Sequence, residues 1–198
     1  MDYKKCIALE IGAGGGGLSL WLALKGANVI CSDINEPKKA KNLHERYGVD
    51  NLVNYQAINA TEIPYNNFFD IIVFKSVLGG IGHNDNKMNQ MKSIKEIYKA
   101  LRPGGYFLFA ENLIGSFLHQ FLRKRFIKWG RSWRYISIEE MKEFLLPFES
   151  YKYITAGFLG ALGKSEEQRN FLGTIDKISS NLFLPEHCKY IIIGIAKK

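Results

Sequence analysis

A run of glycines directly after an apolar segment constrains the fold of this chain more than any other feature. Residues 5–11 (KCIALEI) form the apolar segment, residues 12–17 (GAGGGG) interrupt it, and residues 18–26 (LSLWLALKG) have the apolar spacing of a helix. Glycines leave backbone amides bare at the start of that helix, where a ligand can approach them closely. The segment therefore predicts a strand, a tight turn and a helix, with a nucleotide-like ligand at the turn.

Apolar runs and helical segments alternate along the first half of the chain. Strands are expected at residues 27–33, 51–58, 69–77 and 106–112, with a Lys-rich helix from Pro37 to Gly48 and a second helix at 86–101 that residues 102–105 end. This alternation predicts an α/β fold with a parallel sheet and helices on both faces. Beyond it we expect a basic segment at 113–135, a short helix that begins after Ser137, a strand near 151–157, a helix near 165–180 and a last strand at 190–196.

The composition is that of a folded chain with one core. Of the 198 residues, 46% are hydrophobic and 23% are charged, which excludes a disordered protein. Cys6, Cys31 and Cys188 lie far apart, which excludes a disulfide framework and predicts small core residues in a reducing compartment. No apolar stretch reaches the roughly 18 residues of a membrane span, and charged residues interrupt the opening segment. We expect one domain over residues 1–198 and a cytoplasmic location.

The positive charge of the chain is concentrated in one segment. The net charge is +8, and residues 112–135 contain six basic residues and no acidic one. The six are Arg123, Lys124, Arg125, Lys128, Arg131 and Arg134. Because the remainder is close to balanced, an acidic partner is expected to meet this segment.

Two cofactor patterns fit the glycine turn. Gly12, Gly14 and Gly17 satisfy G-x-G-x-x-G, and Asp33 follows about 20 residues later, which would suit the ribose of a nicotinamide cofactor. A run of glycines satisfies many such patterns, so this match is weak by itself.

The second pattern extends over more of the chain. Residues 10–16 (EIGAGGG) are followed by Asp33, by residues 56–83 (QAINATEIPYNNFFDIIVFKSVLGGIGH) and by residues 98–112 (YKALRPGGYFLFAEN). In this order, over about residues 5–111, the four segments resemble the class I S-adenosylmethionine-dependent methyltransferases. The resemblance implies a single Rossmann-like, doubly wound domain with a mostly parallel seven-stranded sheet. It also implies an antiparallel strand near the C-terminus and, after the fifth strand, a basic helical insertion at 112–136 that is a candidate lid.

The resemblance further implies a site for S-adenosylmethionine and no metal. The backbone of residues 12–14 would lie against the methionine part and the ribose, Glu10 would face the ammonium group, and Asp33 would accept hydrogen bonds from both ribose hydroxyls. The adenine would contact Asn59 and Ala60; the family more often has Asp at position 59, and also at position 10. The implied cofactor residues are Glu10, Gly12, Ala13, Gly14, Gly16, Asp33, Ile34, Asn59, Ala60 and Lys75.

The acceptor of the methyl group is less well specified. Methyl transfer from a sulfonium is an in-line displacement, so positioning contributes most, and a base is needed only where the acceptor carries a proton. Residues 75–79 (KSVLG) replace the Asn/Asp-Pro-Pro-Tyr/Phe sequence, which argues against methylation of exocyclic base amines or glutamine side chains. His83 is the candidate base, although a solvent-exposed or capping histidine explains it equally well. Tyr135 and Glu111 are weaker alternatives.

The methyltransferases that this chain resembles bind their substrates under variable elements before the first strand or after the fifth, and this chain begins almost at its first strand. The resemblance therefore implies that the basic segment is the main acceptor-binding element. From Phe117 to Trp129, apolar residues recur at roughly helical spacing with basic residues between them. One interpretation is a helix packed on the core with its basic face in water. The others are a lid over an acidic small molecule, a contact with an anionic membrane surface and, least favoured, a nucleic-acid contact. The predicted substrate-binding residues are Glu111, Arg123, Arg134 and Tyr135.

These observations predict an S-adenosylmethionine-dependent methyltransferase that O- or N-methylates a small-molecule or lipid-linked acceptor. Three alternatives stay open: an RNA methyltransferase, an NAD-binding Rossmann protein, and an S-adenosylmethionine-binding protein without catalysis. The identity of the acceptor and the oligomeric state are left open.

Overall fold

One sheet with helices on both faces forms the fold. A computed structural model describes residues 3–126, 132–160, 165–179 and 185–198. Its strands are β1 (Ile7–Ile11), β2 (Asn28–Asp33), β3 (Val53–Ala57), β4 (Phe69–Lys75), β5 (Leu101–Asn112), β6 (Ser150–Ala156) and β7 (Ile191–Lys197). Its helices are α1 (Gly17–Leu24), α2 (Lys38–Arg46), α3 (Leu78–Ile81), α4 (Lys87–Ala100), α5 (Phe117–Phe126), α6 (Ile138–Leu145) and α7 (Glu166–Ser179). None of the helices in these described ranges has the length and apolarity that a bilayer crossing requires.

The strand order creates a crevice at the carboxyl end of β1. The sheet has the order β3-β2-β1-β4-β5-β7-β6. Strands β1 to β5 are parallel, whereas β7 is antiparallel to both β5 and β6. The predicted α/β fold, with a mostly parallel sheet and an antiparallel strand near the C-terminus, is confirmed. Strands β2 and β3 lie on one side of β1, and the chain then crosses to β4 on the other side. The crevice outside the carboxyl end of β1 is therefore a topological switch point, where open α/β sheets bind ligands.

Each face of the sheet carries its own core. Strand side chains such as Leu9, Phe74 and Phe107 form a cluster with α4 and α6 on one face. Small and β-branched residues such as Ala8 and Val29 pack under α1 and α2 on the other face. The alternation of inward and outward residues along buried strands explains this division.

The cysteines follow the sequence prediction in part. Cys6 and Cys31 are free and buried in the α1 face of the sheet. Cys188 is free but only half-buried, because it lies in a short 3-10 turn before β7 rather than in a strand. The prediction of a core position is therefore wrong for Cys188.

Helix starts follow local capping chemistry. The Ser137 hydroxyl accepts from the Glu140 N–H while the Glu140 carboxylate accepts from the Ser137 N–H, which forms a capping box at the start of α6. Asn86 Oδ1 accepts from the Asn89 N–H at the start of α4.

The largest local departure from the sequence prediction is at residues 102–105. Helix α4 ends at Ala100, one residue before the predicted end, because Leu101 already pairs with Phe69, and the next pair joins Tyr106 to Ile71. The intervening residues therefore form a bulge within the bounds of β5 instead of a turn before it. Arg102 holds this bulge through an ion pair with Asp70 at 2.8 Å.

We expect Phe107→Ala to lower the free energy of unfolding by about 3–5 kcal/mol. The Phe107 side chain is fully buried and contacts the rings of Phe74, Phe109 and Phe148. Denaturation with urea measures the loss. Leu146→Ala, at a 73% exposed position, is the control, and its effect should stay within about 0.5 kcal/mol. Equal losses in the two variants would contradict the packing described.

Candidate functional site

The glycine turn between β1 and α1 combines a supported underside with an open surface. Gly12, Gly14 and Gly16 have φ values of +66°, +52° and +77°, a region that residues with a Cβ rarely adopt. At Gly16 a Cβ would lie 2.5 Å from the Ala40 side chain, so α2 packs tightly beneath the turn. At Gly14 and Gly15 a Cβ would meet no protein atom within 4 Å. Bare backbone therefore faces open space at the switch point.

A buried histidine on α2 supports this turn. His44 on α2 is fully buried, with Nε2 2.9 Å from the Gly16 carbonyl oxygen and Nδ1 2.8 Å from the Tyr55 hydroxyl. The i, i+4 spacing of Ala40 and His44 places both on one face of α2, and this spacing is the sequence signal that could have identified His44 as part of the support.

Glu10 fixes the first turn of α1. Its carboxylate is buried, and Oε2 accepts from the Ser19 N–H at 2.7 Å and from the Ser19 hydroxyl at 2.5 Å. Burial raises the pKa of Glu10, and the two hydrogen bonds from Ser19 oppose that shift. Contact between Glu10 and a cofactor ammonium group stays a prediction.

Asp33 closes the turn from the tip of β2. Its Oδ2 accepts from the Gly14 N–H at 3.0 Å, and its Oδ1 accepts from the Ile34 N–H at 2.8 Å. Each carboxylate oxygen has a second lone pair, so both can still accept from a ligand. The Ile34 side chain beside it is 63% exposed and offers an apolar surface at the same edge.

The loop after β3 completes this edge of the sheet. The Ile58 N–H donates to the Asp33 carbonyl oxygen at 2.8 Å, which ties the loop to the tip of β2. Asn59 is exposed, and its Oδ1 accepts from the Thr61 N–H and hydroxyl, while Ala60 is buried. The predicted residues from both segments therefore lie at one edge.

Lys75 lies at the carboxyl end of β4. It borders an apolar groove of about 370 Å³ between α1 and the β4-β5-β7 part of the sheet, beside Trp21 and Ile193. Its proposed contact with the cofactor stays a prediction.

A second cavity, of about 360 Å³, lies beside α3. We call it the acceptor cavity, after the role that we propose for it; its lining residues are Asp85, Ile114, Gln120, Arg123, Lys124, Trp133, Arg134 and Tyr135. It brings together three of the four predicted substrate-binding residues, and the fourth, Glu111, is not among the lining residues. Glycines allow its wall to form, because a Cβ at Gly79 would lie 2.5 Å from the Trp133 ring.

Arg134 is held by several acceptors on one side of the acceptor cavity. Its guanidinium donates to Asp85 at 2.9 Å, to Gln90 at 2.7 Å and to both oxygens of Glu140. Glu140 and Asp85 raise the pKa of Arg134. His83 lies on the same turn as Asp85, is exposed, and is not among the lining residues. Its role as base stays a prediction.

Arg123 and Tyr135 form the opposite side of the acceptor cavity. Arg123 is buried, donates to the Leu113 carbonyl oxygen at 2.6 Å and to that of Ile114 at 3.1 Å, and lies 4.0 Å above the Tyr135 ring. Burial lowers the pKa of Arg123 and raises that of Tyr135. The Tyr135 hydroxyl is buried without a hydrogen-bond partner in the described part of the chain. Such a group gains free energy when a bound molecule supplies one.

Glu111 links the glycine turn to the acceptor cavity. It is 1% exposed at the end of β5, and it accepts from the N–H groups of Val77 at 2.8 Å, Leu78 at 2.7 Å and Asn112 at 2.7 Å. Val77 packs on Gly12, where a Cβ would lie 2.6 Å from its Cγ2 atom. Burial raises the pKa of Glu111 to about 7, although the three N–H donors oppose that shift. The geometry makes Glu111 a positioning residue rather than a wall of the cavity.

The basic segment is described only in part. Lys128, Trp129 and Arg131, which belong to the predicted lid, lie outside the described residues. Within α5, Arg123 and His119 are buried while Phe117 and Phe121 are exposed. This orientation differs from a helix with its apolar side on the core and its basic side in water.

The sequence did not single out five lining residues of the acceptor cavity as substrate-binding residues: Asp85, Ile114, Gln120, Lys124 and Trp133. Gln90 was missed as well; its side-chain amide donates to the carbonyl oxygens of Leu78 and Arg134 at 2.8 Å and 2.9 Å. Ile114, Gln120, Lys124 and Trp133 belong to the basic segment that the sequence predicts as the acceptor-binding element. Asp85 and Gln90 come from a distant segment and share no motif with it, so no sequence signal identifies them.

Solved structures with the same fold include methyltransferases. A candidate methyltransferase from Bacillus halodurans is 17% identical, with a TM-score of 0.67, over 98% of this chain and 92% of that chain. Phosphoethanolamine N-methyltransferase 2 from Haemonchus contortus, in complex with S-adenosyl-L-methionine, is 19% identical, with a TM-score of 0.66, over 98% of this chain and 48% of that chain. The 1,6-didemethyltoxoflavin-N1-methyltransferase of Burkholderia thailandensis is 18% identical, with a TM-score of 0.60, over 98% of this chain and 71% of that chain.

The family is shown by the sequence itself. A search of curated proteins finds no match to this chain. The family profile described as a methyltransferase domain matches residues 9–109, just over half of the chain. The matched range runs from β1 through the glycine turn, Asp33 and the β4–α3 junction into β5. The family predicted from the sequence is confirmed: the chain belongs to the methyltransferase-domain family.

Proposed function

We propose that this protein transfers the methyl group of S-adenosylmethionine to an oxygen or nitrogen atom of an acidic small-molecule or lipid-linked acceptor. The observation that carries the proposal is that the start of α3 contacts both the glycine turn and the acceptor cavity. Val77, just before α3, packs on Gly12, and Gly79, two residues later, packs on the Trp133 ring of the cavity lining. A cofactor at the turn and an acceptor in the cavity would thus be neighbours, as an in-line displacement requires.

The residues at the carboxyl edge fit an adenosyl cofactor. The open backbone at Gly14 and Gly15 leaves room for close approach, Asp33 can accept from a ribose diol, and exposed Ile34 offers an apolar surface for a purine. Asn59 would meet the adenine edge. When bound, the cofactor supplies an electrophilic methyl group on a sulfonium.

The acceptor cavity favours an acidic, partly planar molecule. Its described lining has three cationic side chains, Arg123, Lys124 and Arg134, and one carboxylate, Asp85. Trp133 adds an aromatic wall. Two structural neighbours have names that state a small-molecule acceptor, phosphoethanolamine and 1,6-didemethyltoxoflavin, which supports a small acceptor here as well.

A proton must leave an acceptor hydroxyl or ammonium group during transfer. His83 is the proposed base because it lies on the exposed turn that also carries Asp85 of the cavity lining. Glu111 is a poorer base, because three N–H groups already occupy its carboxylate. Its proposed role is to hold the β4–α3 junction against the cofactor and the cavity wall.

We expect calorimetry to detect binding of S-adenosylmethionine or S-adenosylhomocysteine, and no comparable binding of NAD. Asp33→Ala should lower this affinity by about 1.5–3 kcal/mol, or about 10- to 150-fold, because two acceptors for the ribose are lost. Asp50→Ala, at an exposed position before β3, is the matched control and should bind like the wild type. Preferential binding of NAD would overturn the proposal, and unchanged affinity in Asp33→Ala would place the ribose elsewhere.

We expect His83→Ala to lower turnover roughly 100-fold or more for an acceptor that carries a proton, because base catalysis is lost. Cofactor affinity should stay the same. Turnover is measured with labelled cofactor and the acceptor identified from a metabolite extract. His187→Ala changes another exposed histidine and should be fully active. Equal turnover in the two variants would remove His83 from the mechanism.

The raised pKa of Glu111 predicts a pH dependence of stability. The folded-state pKa of about 7 lies above the ordinary value of 4.5, so the folded protein holds this proton more tightly than the unfolded chain. The resulting stabilisation is present below pH 4.5 and is lost as the pH rises through about 7. Between these limits the free energy of unfolding of the wild type should fall by about 3 kcal/mol more than that of Glu111→Gln, whose amide cannot ionise. Urea denaturation across this range measures the difference, and parallel curves would contradict the assignment.

A further inference from the structure

The outward side of α5 is apolar. Phe117, Leu118 and Phe121 are 82%, 43% and 55% exposed. Positions i, i+1 and i+4 of a helix lie on one side, and exposed Lys124 and Arg125 continue that side by a further turn. With Ile114, which is 36% exposed just before the helix, these residues form what we call the α5 surface.

Polar contacts fix the opposite side of α5 to the rest of the protein. His119 and Arg123 are four residues apart and both are buried. His119 Nδ1 lies 2.8 Å from the Ser116 hydroxyl, and Nε2 lies 2.8 Å from the Phe158 carbonyl oxygen. Together with the bonds from Arg123 to two carbonyl oxygens, these contacts hold the helix in register. The apolar side chains therefore stay in water, where exposure of large aromatic side chains is unfavourable.

We propose that the α5 surface docks this protein on an anionic lipid bilayer. A helix with Phe and Leu side chains on one side and Lys and Arg beside them is suited to the interface between headgroups and acyl chains. Lys124 and Arg125, the exposed basic side chains of the α5 surface, complement anionic headgroups. A nucleic acid would meet the charges but would offer Leu118 no apolar environment.

The docking also deepens the proposed function, on which this step rests. Ile114 and Lys124 belong both to the α5 surface and to the lining of the acceptor cavity. A bilayer in contact with the surface would therefore lie at the edge of the cavity. The acceptor class that fits this arrangement is a lipid, or a lipid-linked molecule, with an acidic headgroup.

Sedimentation of the full chain with vesicles, without cofactor, tests the docking. The protein should sediment with phosphatidylcholine vesicles that contain phosphatidylglycerol, should stay in solution with phosphatidylcholine alone, and should be released by high salt. Phe117→Ser combined with Phe121→Ser should lower partitioning at least about tenfold, because apolar area no longer leaves water. Lys124→Gln combined with Arg125→Gln should lower it about 25-fold, since each charge near an anionic surface contributes about fivefold.

The matched control is Leu24→Ser combined with Leu146→Ser. These two side chains are 57% and 73% exposed, at the C-terminal ends of α1 and α6, and the variant should bind vesicles like the wild type. Absence of vesicle binding by the wild type, equal loss in the control, or binding to an RNA oligonucleotide that the phenylalanine variant retains would each overturn the docking. Cofactor titration of the same samples separates the two proposals. A chain that binds S-adenosylmethionine but no vesicles contradicts only the docking, and the reverse contradicts only the proposed function.

Discussion

The carboxylate of Glu111 is the interaction on which both halves of the site depend. At the β4–α3 junction the Ser76 N–H donates to the Ala110 carbonyl oxygen of β5, and the next two N–H groups, those of Val77 and Leu78, both donate to the Glu111 side chain. A buried carboxylate with three N–H donors and no cationic partner at hydrogen-bond distance among the described contacts is costly to ionise, which the raised pKa reflects. Glu111 thereby fixes the β4–α3 junction, where Val77 packs on Gly12 and Gly79 packs on the Trp133 ring. Displacement of this segment would disturb the cofactor edge and the acceptor cavity together.

The parts of the fold that the sequence predicts are those with local signals. A strand that ends in glycines, an acid at the tip of β2 and apolar runs of strand length each depend on only a few consecutive residues. Strand positions were accordingly close to those observed. The bulge at 102–105 was not predicted, because Pro and Gly mark an irregularity without indicating whether it lies before a strand or within one.

The acceptor cavity could be predicted only in part, because its contacts join distant segments. Arg134 meets Asp85 and Gln90, which are 49 and 44 positions away in the chain. The sequence shows that the segment around Arg134 is basic, but it does not show which residues Arg134 contacts. The orientation of α5 was likewise inaccessible: spacing reveals that a helix has two sides, whereas the side that faces the protein is decided by tertiary partners such as the Phe158 carbonyl oxygen.

The glycine at position 79 gives the acceptor cavity an adjustable wall. Trp133 lies so close to Gly79 that any added side chain must push the indole away. The residues that hold the cofactor edge, Asp33 and the glycine turn, belong to other segments and would not be altered by such a change. Single substitutions at position 79 can therefore change the shape of this cavity as related chains diverge, while the glycine turn and Asp33 stay as they are.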